Sequence, residues 1–73
     1  MKYANLGEFV KDVRLNKAMT QREFVDFLGC MCVPLLSLTE KGVHKVSLRT
    51  LKRLAVVTGK PTEWLRDLNE RQG

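Results

Sequence analysis

Cysteine, proline and histidine are scarce in this 73-residue sequence, at two, two and one. Two cysteines do not make a disulfide framework. Cys30 and Cys32 stand one residue apart, too close for an easy bridge within the pair. Both are expected as reduced thiols in a cytoplasmic protein. Neither zinc nor any other cofactor is expected. Cys30, Cys32 and His44 offer three ligands rather than four, and their spacing matches no common site. No segment approaches the ~18–20 apolar residues of a membrane span. The longest nearly apolar run, Leu28 to Leu36, is nine residues. The opening Met-Lys-Tyr-Ala-Asn-Leu-Gly-Glu has no apolar core of the signal-peptide kind, and no membrane partner is expected. Strand-like alternation of any length is missing too, which argues against a sheet.

What is present is basic. Thirteen Lys and Arg stand against eight Asp and Glu, a net charge of +5, and the apolar fraction of 44% excludes a disordered chain. Residues 1–39 carry five basic and four acidic side chains, net +1. Residues 40–60 carry six basic ones (Lys41, Lys45, Arg49, Lys52, Arg53, Lys60) against Glu40 alone, net +5. Residues 61–73 are net −1, with two basic and three acidic. Such a concentration suits a polyanionic partner, though a solvated helix face gives the same pattern. The length fits one domain, 1–73, with a stability of roughly 4–11 kcal/mol.

Helical periodicity runs through the chain. Leu6, Phe9, Val10 and Val13 predict an amphipathic helix over about 6–17. Thr20-Gln21-Arg22-Glu23 is a capping box, preceded by Met19 as a staple, for a helix that presents Phe24, Val25, Phe27 and Leu28 and stops at Gly29. A third helix is expected over about 33–41, with Leu35 and Leu38 as its apolar anchors and Pro34 confined to its first turn. Ser47 caps a fourth helix with Leu48, Leu51, Leu54 and Ala55 on one face and Gly59 at its end. Pro61-Thr62 opens a fifth carrying Trp64, Leu65 and Leu68. The expected fold is an all-α, compact five-helix bundle.

Two short helices joined through a glycine turn form the core of a helix-turn-helix, here about 20–41. The segments Val13 to Gln21, Phe24 to Gly29, Glu40-Lys41-Gly42, Ser47 to Leu51 and Thr58 to Leu65, in this order and spacing, resemble the Cro/repressor (Xre-type) helix-turn-helix family, a lambda-repressor-like DNA-binding domain. The resemblance covers Leu6 to Leu65. It implies a small transcriptional regulator, with repression the expected mode, that binds double-stranded DNA with its third helix in the major groove. Residue by residue, it implies base-edge positions at Met31, Cys32, Val33, Leu36 and Ser37. It implies phosphate contacts at Gln21 and Arg22, and further contacts at Lys41, His44 and Lys45. A homodimer is implied as well, since half-sites lie about one helical turn, ~34 Å, apart. Trp64, Leu65 and Leu68 are the expected dimer surface.

The chain departs from the family pattern in three places. Polar residues usual in the family are replaced by Met31, Cys32, Val33 and Pro34, which implies weak or unusual base readout. Glu40-Lys41-Gly42 comes one residue late. Ala18 stands where a glycine often closes the first helix, and a left-handed alanine there would cost about 1 kcal/mol or more. The alternative is an adaptor that keeps the fold and uses the apolar third-helix face to bind a protein. No nucleophile, base and orienting group converge in the sequence, so no enzyme is expected.

Overall fold

The computed structural model describes residues 2–73. Five helices follow one another: α1 Leu6–Asn16, α2 Gln21–Leu28, α3 Val33–Glu40, α4 Leu48–Thr58 and α5 Thr62–Asn69. The described residues contain no strand.

Local chemistry sets the ends. Asn5 caps α1 by accepting from the Glu8 N–H at 3.0 Å. Thr20 and Glu23 form the reciprocal capping box of α2, at 3.1 Å and 2.8 Å. Ser47 caps α4 through the Thr50 N–H at 3.4 Å. Helix α3 starts differently. Cys32 occupies the cap position without a side-chain hydrogen bond, and Pro34 sits in the first turn, where a backbone N–H is dispensable.

Two helices close with the same turn. After α1, the Met19 N–H bonds the Arg14 carbonyl and the Ala18 N–H bonds that of Leu15. After α3, the Val43 N–H bonds Leu38 and the Gly42 N–H bonds Thr39. Both are Schellman closures, which need a left-handed residue at the hinge. Gly42 takes it at φ +79°, and Ala18 takes it at φ +56° with a Cβ that disfavours it.

One core joins all five helices. Helix α1 contributes Leu6, Phe9 and Val10, and α2 contributes Phe24, Val25 and Leu28. Leu36, Leu51, Leu54, Leu65 and Leu68 complete its centre. Helix α1 packs against α3 and α5, α2 against α3 and α4, and α4 against α5. The α1–α3 crossing is tight because residue 7 is glycine: a Cβ there would stand 2.2 Å from the Thr39 carbonyl oxygen.

Polar side chains near the C-terminus stitch the loops to this core. Asn69 pairs with both backbone groups of Val46, accepting at 2.9 Å and donating at 3.0 Å. Gln72 accepts from the Gly7 N–H at 2.9 Å and donates to the carbonyls of Thr39 and His44 at 3.0 and 2.8 Å. No buried side-chain polar atom of the described residues lacks a partner.

Several expected orientations are corrected. Helix α3 turns Leu36 and Thr39 inward, both fully buried, while Leu38 is 41% exposed and Leu35 half-buried. Thr39 is tolerated inside because its hydroxyl donates to the Leu35 carbonyl at 2.9 Å. Phe27 lies at the surface under the Lys17 ammonium, 5.1 Å from the ring centre, and Leu48 is exposed. Leu65 and Leu68 are fully buried within their own chain. They are core rather than dimer surface, because α5 must cover α1 and α4 to close the bundle. Trp64 is half-buried, edge-on to Phe9 at 4.9 Å and to Tyr3 at 6.4 Å, with the Lys60 ammonium over its face.

Candidate nucleic-acid interface

The candidate surface is built from the start of α2, the exposed side of α3 and the loop behind it. An ion-pair network holds these parts in register. Arg14 of α1 donates from Nε to Glu40 Oε2 at 2.7 Å and from Nη2 to Oε1 at 3.1 Å. Its Nη1 reaches the Met19 carbonyl at 2.9 Å. Gln21, the first residue of α2, donates its side-chain amide to Glu40 Oε1 at 3.2 Å. The hydrogen bond to Glu40 raises the Arg14 pKa, with burial opposing it, so the guanidinium stays charged. One carboxylate at the end of α3 thereby fixes the start of α2. At the other end of α2, Arg53 of α4 donates to the Leu28 carbonyl at 3.0 Å.

At about 100° per residue, the direction opposite Leu36 and Thr39 is shared by Pro34, Ser37, Leu38 and Lys41. Pro34, Leu38 and Lys41 are exposed and Ser37 is half-buried. Beside this stripe Cys32 is exposed, while Met31 and Val33 lean half-buried on the core. Arg22, Val25, Asp26 and the run Met31 to Pro34 line an open cleft of about 350 Å³ between α2 and α3. The Arg22 side chain is exposed and lies 3.8 Å from Asp26.

The expected contact residues therefore divide. Arg22, Cys32, Lys41 and His44 are exposed, and Ser37 faces outward. Gln21 is half-buried with its amide directed to Glu40. The backbone N–H groups of Gln21 and Arg22, in the first turn of α2, have no carbonyl to bond within the helix. Lys45 is exposed but paired with Glu70 at 3.0 Å. Leu36 is overturned as a base-edge residue, because it is fully buried. Pro34 and Leu38 take the outward places that sequence reasoning did not assign. The signal was available in the spacing 34, 37, 38, 41, but three leucines within four residues left the helix rotation ambiguous. Arg49 and Lys52 add exposed positive charge on α4.

Among the described residues no group of three or more His, Cys, Asp or Glu side chains is placed to hold a metal ion. None of their helices is long and apolar enough to cross a membrane. No family model matches the chain, and neither a curated protein nor a solved structure does.

Proposed function

We propose that this protein is a small DNA-binding regulator that sets α2 and α3 on duplex DNA as a helix-turn-helix, with α3 in the major groove. The observation that carries the reading is the outward stripe of α3, bounded by exposed cations at Arg22 and Lys41 and adjoining the free N–H groups of α2. The second helix and the following loop grip phosphates while α3 lies between them. Holding comes from charge, and base discrimination is modest because the stripe offers few hydrogen-bonding groups. A homodimer on two half-sites is part of the proposal, and repression by occupancy is its simplest mode. Of the expected dimer surface, only Trp64, half-buried beside Tyr3, is not fully buried.

Binding to duplexes of arbitrary sequence across a salt series tests it. Contact with about four phosphates gives a slope near −3.6 in log affinity against log salt. Absence of binding at about 50 mM salt refutes the reading.

A second reading is favoured by Leu38, whose apolar side chain is 41% exposed on the outward side of α3. In it the same face docks a protein partner and DNA binding is lost. Capture of a partner that Leu38→Asp abolishes, with no affinity for any duplex, supports that reading.

A further inference from the structure

We propose that the outward face of α3 recognises the 5-methyl group of pyrimidines in the major groove, whether carried by thymine or by 5-methylcytosine. This deepens the DNA-binding reading and rests on it. Pro34, Ser37, Leu38 and Lys41 point away from the core, with Cys32 exposed at the start of the helix and Val33 half-buried beside it. Only Ser37 and Lys41 in this set bring strong hydrogen-bonding groups. There is no Arg for the paired acceptors of guanine and no Asn or Gln for the adenine edge, which leaves Lys41, past the end of the helix, as the one group of the set suited to a guanine edge. Pro34 also lacks a backbone N–H to offer.

The remaining chemistry is apolar, and the major-groove edge of a base pair exposes one apolar group, the methyl on pyrimidine C5. Charge complementarity commits this face to DNA rather than to an apolar protein. Lys41 lies just past the end of α3, and at its start Arg22 lines the cleft with Asp26 3.8 Å away, so the face carries a net positive charge that Lys41 supplies. A methyl group set between two rows of phosphates presents the matching pattern. The eight residues of α3 span about 12 Å, the length of three to four stacked bases.

The test uses the whole chain and two pairs of alternating copolymer duplexes. The pairs are dA-dT against dA-dU, and dI-dC against dI-5-methyl-dC. Within each pair the partners differ only by the methyl group. The expected result is tighter binding to the methylated partner, about fourfold for each methyl contacted. A preference in the first pair alone assigns thymine, in the second alone 5-methylcytosine, and in both either base; each supports the proposal.

Equal affinity within both pairs, with binding intact, overturns methyl recognition and leaves the DNA reading standing. No binding to any of the four overturns both. The double variant Pro34→Ser/Leu38→Ser, with helicity checked by circular dichroism, should bind the methylated and unmethylated partners of each pair alike. Retention of the preference in the folded variant overturns the assignment to α3.

Discussion

Arg14 and Glu40 are joined by two parallel hydrogen bonds, Nε to Oε2 at 2.7 Å and Nη2 to Oε1 at 3.1 Å, between helices 26 residues apart in sequence. Their side chains are only 11% and 6% exposed. Removing one partner leaves the other charge stranded out of water, at a cost of about 3–5 kcal/mol. Arg14→Met or Glu40→Leu alone should therefore lower the urea midpoint severely. The double variant should be more stable than either single one, because it strands no charge. Additive losses in the double-mutant cycle would show that the pair is not coupled.

Gly7→Ala separates local preference from packing. Alanine is the better helix former by about 1 kcal/mol, so propensity alone predicts stabilisation. The structure predicts the reverse, since the new Cβ would meet the Thr39 carbonyl oxygen at 2.2 Å and push α1 from α3. A net loss of about 1–3 kcal/mol is expected in chemical denaturation.

Ala18→Gly should act in the other direction. The left-handed backbone at φ +56° strains an alanine and suits a glycine, while glycine adds freedom to the unfolded chain. A net gain of about 0.5–1 kcal/mol is expected, seen as a higher melting temperature. An unchanged or lower value would mean that the strain is relieved elsewhere.

Tyr3 is the only tyrosine, so its ionisation can be followed directly by phenolate absorbance. Its hydroxyl donates to the Asp12 carboxylate, and this bond raises its pKa, with smaller contributions from burial and from the Asp12 charge. The folded chain thus keeps a proton that the unfolded chain loses near pH ~10. The contribution to stability is complete below that pH and disappears as pH rises through the raised value. Asp12→Asn should bring the titration midpoint back toward that of free tyrosine.

Lys41 and Lys45 should differ on DNA although both are exposed lysines of one loop. Lys45 is engaged by Glu70 at 3.0 Å, whereas Lys41 extends the outward stripe of α3. Lys41→Ala should weaken binding to all duplexes alike and make the salt slope shallower by about 0.9. Lys45→Ala should do less, and Glu70→Gln should strengthen binding by freeing Lys45.

The sequence alone determined the five helices, since their determinants are local. The Thr20/Glu23 box, the Ser47 cap, the first-turn Pro34 and the hinge at Ala18 act within a few residues of themselves, and the ends they set agree with the structure to within a residue. It also located the excess positive charge, which is a matter of counting. The rotation of α3 was not legible, because Leu35, Leu36 and Leu38 are equally apolar and either side of so short a helix could face the core. Only packing decided it: α1 presses against the Thr39 backbone where Gly7 lacks a Cβ, and Leu36 and Thr39 lie inward with Pro34 and Leu38 outward. Tertiary structure likewise moved Leu65 and Leu68 from a presumed dimer surface into the core. It also joined Arg14, Gln21 and Glu40, and tied Gln72 to Gly7, Thr39 and His44. Those partners lie 19 to 65 residues apart. Their pairing depends on where three helices and the C-terminal residues meet in space, which no local pattern encodes.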